Sequence, residues 1–162
     1  MRIVFLDIDG VLNYPRIWGQ SAGPDPEQAI CGILTKRVSA MVEATDAYVV
    51  ICSTWRRGYS LARLQQLLAL RNFENATTRI VDVTPVLNRP RQDEIVAWLD
   101  DHPDVTHFVI LDDDTAEDGR WDKVIDHWVK PEWGTGISEK EIEQARQILQ
   151  GHRSASGSTP DF

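Results

Sequence analysis

Two groups of aspartates follow strongly apolar runs of the chain. Asp7 and Asp9 stand at the end of a run that begins at Ile3, and aspartates occupy positions 112–114 directly after the run 108–111. Carboxylates gathered at the edge of an apolar core repel one another unless a cation is present. A tight group of hard oxygen ligands suits Mg²⁺. Aspartate is also a common turn residue, but two such groups at strand ends favour a metal site.

Hydroxyl and guanidinium groups follow a third apolar run. Ser53, Thr54 and Arg56 offer hydrogen-bond donors that can hold phosphoryl oxygens. The alternative for either hydroxyl is a simple helix N-cap. Arg89 and Arg91 lie at the start of a predicted helix, where the helix dipole disfavours a cation. A basic group in that unfavourable position indicates a function.

The elements that must position these groups alternate between strand and helix. Apolar β-rich runs predict five strands, over residues 3–8, 48–52, 79–83, 106–111 and 123–129. Helical periodicity predicts helices over 31–44, 60–70 and 91–100, and a last one that begins at Ser138 with Glu141 completing a capping box. This alternation predicts a doubly wound, mainly parallel five-stranded α/β sheet with helices on both faces. Ligands of such sheets bind beyond the carboxyl ends of the strands.

The chain length of 162 residues predicts one domain over residues 1–151 and a short tail over 152–162, which is small, polar and expected to be flexible. The first helix is expected to bury one apolar face, made by Ile33, Leu34, Val38, Met41 and Val42.

The charge balance restricts the partners of this domain. Seventeen basic and 25 acidic residues give a net charge of −8, which argues against binding of long nucleic-acid tracts but permits entry of a nucleotide or a strand end. The two cysteines lack the spacing of a zinc site. No apolar run is long enough to span a membrane, and the run before Asp7 is too short for a signal peptide. We therefore expect no membrane partner and a cytoplasmic location.

The motifs, taken in order, resemble those of the haloacid dehalogenase (HAD) superfamily. The string DIDGVLN at residues 7–13 resembles motif I, and Ser53 resembles motif II, with Thr54 as the alternative. Arg91 resembles the basic residue of motif III, which is more often lysine, and Arg89 is its alternative. Asp112 with its neighbour Asp113 resembles motif IV. The string STWR at 53–56 and the run VILDD at 109–113 are similar to the small HAD domain associated with RNA-repair proteins.

This resemblance implies a Mg²⁺-dependent phosphomonoester hydrolase. Asp7 would attack phosphorus and form an aspartyl-phosphate. Asp9 would protonate the leaving oxygen and then activate water. Ser53 and Arg91 would hold the oxygens of the transferring group. The ion would be held by side chains and, at the second aspartate, by the backbone carbonyl, with the ligand set Asp7, Asp9, Asp112 and Asp113.

The segment between residues 13 and 53 is too short for a sizeable inserted cap domain. Cap-less members of the family leave the site open, so the resemblance permits large substrates such as nucleotides, nucleic-acid ends or other phosphorylated macromolecules. Thr54, Arg56 and Arg89 are the expected substrate contacts. Aromatic and arginine side chains that can stack on bases are expected to line the opening: Tyr14, Arg16, Trp18, Trp55, Arg56 and Arg57. Trp98 and Trp128 are expected to pack in the core.

Other classes of protein share parts of this pattern. A receiver domain also carries an acidic cluster, a hydroxyl and a basic residue, but its phosphate-accepting aspartate ends the third strand, where this chain offers only Asp82 nearby. An inactive HAD-like binding domain is a further alternative, although none of the motifs is lost. A dehalogenase is disfavoured because that branch of the superfamily lacks the second aspartate, which is Asp9 here.

Overall fold

Five parallel strands form the centre of the protein in a computed structural model, which describes residues 1–14, 26–114 and 121–151. The strands are β1 (Arg2–Leu6), β2 (Tyr48–Ile51), β3 (Ile80–Val83), β4 (His107–Leu111) and β5 (Trp128–Val129). Their order in the sheet is β3-β2-β1-β4-β5. The chain therefore builds outward from β1 in one direction and then in the other. The point where the order reverses lies between β1 and β4, and ligands of such sheets bind at this position.

Helices cover both faces of the sheet, as predicted. Within the described residues the α-helices are α1 (Gly32–Thr45), α2 (Leu61–Ala69), α3 (Ala76–Arg79), α4 (Arg91–Asp100) and α5 (Glu139–Leu149), and 3-10 helices span Pro26–Ala29, Thr54–Arg57 and Ile125–His127. Alternate side chains of β1 enter opposite cores because strand residues point to alternate faces. Val4 and Leu6 pack with α1, α2 and α5, while Ile3 and Phe5 pack with α4.

The predicted helix start at Ser138 is confirmed. The backbone N–H of Ser138 donates to a carboxylate oxygen of Glu141 at 2.7 Å, and the capping box is complete. Trp98 is buried, and Trp128 packs against the same core, so both fulfil their predicted packing role. Among the residues described, no helix combines the length and the apolar character needed to cross a bilayer.

The fifth strand is much shorter than predicted. The prediction covered residues 123–129, whereas the structure has a turn and the 3-10 helix Ile125–His127 before a strand of two residues. The backbone N–H of Val124 donates to the carbonyl of Trp121 at 2.9 Å. This hydrogen bond closes a turn that directs the segment away from the sheet. Ile125 consequently lies 46% exposed.

The apolar face of α1 also differs from the prediction at one position. Ile33 is 68% exposed, while the other four residues of the predicted face are buried. The face that packs on the sheet follows positions 34, 38, 41, 42 and 45, and Ile33 falls outside this stripe. The predicted tail over 152–162 and the rim residues Arg16 and Trp18 lie outside the described residues.

Candidate active site

The register of two neighbouring strands brings the two acidic groups together. Leu6 of β1 lies opposite Leu111 of β4, so Asp7 and Asp112 leave the sheet at the same level. The backbone N–H of Asp7 donates to the carbonyl of Leu111 at 2.9 Å, which extends the pairing to the start of the acidic group. This position is also the point where the strand order reverses.

Three carboxylates gather at this edge. Asp7, Asp112 and Asp113 each offer one oxygen, and these oxygens lie within 4.8 Å of one another. Asp7 and Asp112 are buried, and Asp113 is half-buried. Burial and then the charge of Asp7 raise the pKa of Asp112 from 3.8 to about 7, and the same two causes raise the pKa of Asp113. The cluster therefore gains from binding a cation, and its donors are the hard oxygens that Mg²⁺ prefers.

Arg91 supplies the one cation that contacts this cluster among the described ion pairs. It is the first residue of α4, and its Nη1 lies 2.8 Å from Oδ2 of Asp7 and also contacts the carboxylate of Asp112. Burial alone lowers the pKa of Arg91, but the neighbouring anionic groups, including Asp112 and Asp7, outweigh it and raise the pKa above its ordinary value. The alternative, Arg89, is exposed. The structure thus places Arg91 rather than Arg89 at the acidic cluster.

The turn after β1 requires a glycine. Gly10 has a φ of +76°, and a Cβ at this residue would lie 1.9 Å from Oδ2 of Asp113. The carboxylate of Asp113 therefore lies directly against the backbone of the turn. Asn13 closes the turn, because its Oδ1 accepts a hydrogen bond from the N–H of Gly10 at 2.8 Å.

The side chain of Asp9 stands outside the group of three carboxylates. Its Oδ1 accepts a hydrogen bond from Nδ2 of Asn13 at 2.9 Å, and its Oδ2 accepts one from Nε1 of Trp55 at 3.0 Å. The sequence contained Asn13 as the last residue of the motif string, but nothing in it indicated the contact between Asp9 and Trp55, which are 46 positions apart. The predicted metal ligand at Asp9 is its backbone carbonyl, so the placement of the side chain leaves that prediction open.

The two hydroxyls that follow β2 have different surroundings. Ser53 is fully buried, and its Oγ accepts a hydrogen bond from the backbone N–H of Trp55 at 3.4 Å. Thr54 is exposed and begins the 3-10 helix. The N–H of Cys52 donates to the carbonyl of Leu6 at 3.0 Å, which keeps this segment beside the end of β1. Ser53 is thus the N-cap of this 3-10 helix, which is the alternative role weighed for it, and Thr54 faces solvent; the assignment of Ser53 to motif II stays a prediction.

Arg56 does not line the opening, contrary to the prediction. Its side chain is 2% exposed and pairs with Glu94, which is 3% exposed. Its guanidinium also donates to the carbonyls of Cys52, Ser53 and Thr84 at 2.7–3.0 Å. With these donors used inside the protein, Arg56 cannot bind a substrate. The prediction failed because Glu94 lies 38 positions further along the chain, and nothing in the sequence indicates that it pairs with Arg56.

The other described residues that were predicted to line the opening are at least partly exposed. Arg57 is exposed, while Trp55 and Tyr14 are half-buried and pack against the core of the α1 face.

The fold and the acidic strand ends define an α/β domain of the HAD type, and the residues that the structure describes contain no cap domain. Residues 3–142 match the family model described as the HAD domain in Swiss Army Knife RNA repair proteins. The chain belongs to this family, and the resemblance drawn from its motifs is confirmed. No curated protein and no solved structure matches the chain. Membership of the HAD superfamily indicates a phosphatase-like hydrolase.

Proposed function

We propose that the protein is a Mg²⁺-dependent phosphomonoester hydrolase that works through an aspartyl-phosphate on Asp7. The observation that carries this proposal is the set of oxygens from Asp7, Asp112 and Asp113 within 4.8 Å of one another, with Arg91 bound to two of the three carboxylates. Three carboxylates against one guanidinium leave an excess of negative charge, which a bound divalent cation would neutralise.

The donor set fits Mg²⁺. Asp7, Asp112 and Asp113 would hold the ion, together with the backbone carbonyl of Asp9. The bound ion would reduce the repulsion between the attacking carboxylate and the phosphate dianion.

Asp7 is the proposed nucleophile. Its Oδ1 accepts a hydrogen bond from the N–H of Ile8 at 2.9 Å, and its Oδ2 pairs with Arg91, so the carboxylate is held firmly at the end of β1. A new bond forms between this carboxylate and phosphorus while the bond from phosphorus to the leaving oxygen breaks.

Asp9 is the proposed proton donor and acceptor. It gives its proton to the leaving oxygen in the first step. In the second step it takes a proton from water, the water oxygen attacks phosphorus, and the carboxylate of Asp7 is released. Arg91 and Ser53 would stabilise the phosphoryl oxygens during both steps. Exposed Thr54 and Arg89 would contact the rest of the substrate at the rim.

The proposed substrate is a phosphorylated nucleic-acid end or a nucleotide. The described chain between Asn13 and Ser53 contributes a 3-10 helix, α1 and strand β2, and none of these is a cap domain. The matched family is described by its occurrence in RNA-repair proteins, and an open site can admit a strand end. Because the net charge is −8, we expect contacts to be limited to the terminal nucleotides.

A screen of phosphomonoesters tests the proposal. The panel contains 3′- and 5′-phosphorylated oligonucleotides, nucleotides and phosphopeptides, each assayed with Mg²⁺ and with a chelator. We expect Mg²⁺-dependent release of phosphate, fastest from the nucleic-acid ends. The absence of hydrolysis from every substrate would overturn the proposed activity, and hydrolysis of phosphopeptides alone would overturn the proposed substrate.

A receiver-like function is less well supported by the structure. Asp82, the acidic residue near the end of β3, has its Oδ1 bonded to the N–H of Val83 and its Oδ2 bonded to Nε1 of Trp98 at 2.7 Å. Both oxygens of the Asp82 carboxylate therefore accept hydrogen bonds from within the protein. Incubation with acetyl phosphate separates the two functions, since a receiver would accumulate a long-lived phosphoprotein and a phosphatase would release phosphate.

A further inference from the structure

The carboxylate of Asp9 is held from two sides by donors on different segments. Asn13, in the turn after β1, donates to one oxygen at 2.9 Å. Trp55, in the 3-10 helix after β2, donates to the other oxygen at 3.0 Å through its indole nitrogen. Two such bonds fix both the position and the plane of the carboxylate.

The indole is itself fixed by its surroundings. The Trp55 ring packs against the core of the α1 face and lies 5.7 Å from the ring of Tyr59. Its backbone N–H donates to Oγ of Ser53 at 3.4 Å. One residue thus joins the segment that carries Ser53 to the carboxylate of Asp9.

We propose that Trp55 is a positioning residue for Asp9. The indole N–H of Trp55 holds the carboxylate of Asp9 so that it points at the leaving oxygen of the substrate. This inference rests on the proposed function, because it assigns a partner to the proton donor of that reaction. Proton transfer requires the donor to lie within hydrogen-bond reach of the oxygen that accepts the proton. A carboxylate without the indole bond would rotate about its side-chain torsions and spend less time in that position.

The structure also supplies the matched control. Trp55→Phe keeps an aromatic ring packed against the core and removes the N–H donor. Tyr59→Leu removes the neighbouring ring and leaves the indole N–H in place. The two variants therefore separate the hydrogen bond from the packing around it.

The test compares two leaving groups. A nucleoside monophosphate releases an alkoxide, which needs a proton, whereas p-nitrophenyl phosphate releases a stable phenolate, which needs little help. The quantity measured is kcat/KM, because it reports the steps up to the departure of the leaving group. For Trp55→Phe we expect a loss of roughly 30-fold on the nucleotide and less than about threefold on p-nitrophenyl phosphate, since positioned acid catalysis contributes on the order of 10²–10⁴.

Asp9→Asn should also lose more kcat/KM on the nucleotide than on p-nitrophenyl phosphate, and its loss should exceed that of Trp55→Phe. Tyr59→Leu should leave the ratio of kcat/KM for the two substrates unchanged. Thermal unfolding of each variant checks that the fold is retained. Equal losses on both substrates for Trp55→Phe, or the same selective loss for Tyr59→Leu, would overturn the positioning role while leaving the proposed function intact. A wild-type protein without activity on either ester would overturn both.

Discussion

Two arginine–carboxylate groups meet on the first turns of α4, and they differ in charge balance and exposure. Arg56 and Glu94 form a pair whose side chains are 2% and 3% exposed. Arg91, one turn before Glu94, is 18% exposed and contacts two carboxylates of the acidic cluster. The first group has one positive and one negative side chain. In the second group, Arg91 stands against the three carboxylates of the acidic cluster, which include Asp113, so negative charge is in excess.

This difference separates a structural ion pair from a site that can bind a ligand. Apart from its bond to Glu94, the Arg56 guanidinium donates to main-chain carbonyls of two segments. Ser53 belongs to the segment after β2, and Thr84 belongs to the segment after β3. The second oxygen of Glu94 accepts a hydrogen bond from the N–H of Leu87 at 2.8 Å. Arg56 and Glu94 thus hold together the loops that carry the site. The excess charge around Arg91 instead favours a bound cation.

The largest expected effect comes from Asp7→Asn. Asparagine retains an oxygen that can accept the N–H of Ile8, it removes one of three mutually repelling charges, and Arg91 keeps Asp112 as its counter-charge. We therefore expect the fold to remain at least as stable, while phosphatase activity falls by roughly 10³-fold or more, as on loss of a nucleophile. Circular dichroism, thermal unfolding and a phosphate-release assay check both parts. Full activity of this variant would refute the assignment of Asp7.

The opposite behaviour is expected for Glu94→Gln. Glutamine is similar in size and can still accept the N–H of Leu87, but it leaves the buried guanidinium of Arg56 without a counter-charge. We expect the free energy of unfolding to fall by about 3–5 kcal/mol, measured by urea denaturation. The control is Glu143→Gln in the exposed pair with Arg146, which should change stability little. Similar stability losses in both variants would show that Glu94 has no special structural role.

Gly10→Ala tests whether the turn must leave room for Asp113. Gly134 has a φ of +86° and open space around it, whereas a Cβ at Gly10 would meet the carboxylate of Asp113. Both alanine variants carry backbone strain of roughly 1–2 kcal/mol. We expect only Gly10→Ala to weaken Mg²⁺ binding, by roughly tenfold, as measured by calorimetry. Equal Mg²⁺ affinities in the two variants would contradict the proposed packing of this turn against the site.

The smallest effect is expected for Arg89→Ala. Arg89 is exposed at the rim and has no place in the acidic cluster. An exposed charge contributes less than about 1 kcal/mol, so we expect KM to rise by less than about fivefold with kcat unchanged. Steady-state kinetics on a phosphorylated oligonucleotide check this. A loss of kcat as large as that of Arg91→Ala would mean that Arg89 fills the role assigned to Arg91.

The strand ends could be predicted because local sequence determines them. The apolar runs before Asp7 and Asp112 are long enough to form buried strands, and two aspartate-rich ends on one parallel sheet must share an edge. The length of β5 could not be predicted in this way. Residues 123–127 contain apolar side chains typical of a strand, but the turn closed by Trp121 and Val124 removes them from the sheet.

Long-range partners explain the remaining differences. Arg56 and Arg57 are equivalent in sequence, yet only Arg56 meets Glu94 and becomes buried. Trp55 was predicted as a rim residue that stacks on bases, and its bond to Asp9 depends on how the segments after β1 and β2 face each other. Contacts of this kind form only when the tertiary structure brings distant segments together.

Protonation of the acidic cluster links Mg²⁺ binding to pH. The pKa of Asp112 is raised from 3.8 to about 7 without the ion. The contribution of this group to stability is therefore present below about pH 4 and is lost as pH rises through about 7, because its charged form is disfavoured in the folded protein. Mg²⁺ requires the charged form, so its affinity should rise with pH over the same interval.

Calorimetric titration of Mg²⁺ into the wild type and Asp112→Asn, at pH 6 and pH 8, tests most directly whether the excess charge at the ends of β1 and β4 forms a metal site. We predict that the wild type binds Mg²⁺ more tightly at pH 8 than at pH 6, and that Asp112→Asn binds it at least about tenfold more weakly at pH 8. Equal affinity in the two proteins, or no binding to the wild type at either pH, would contradict the account.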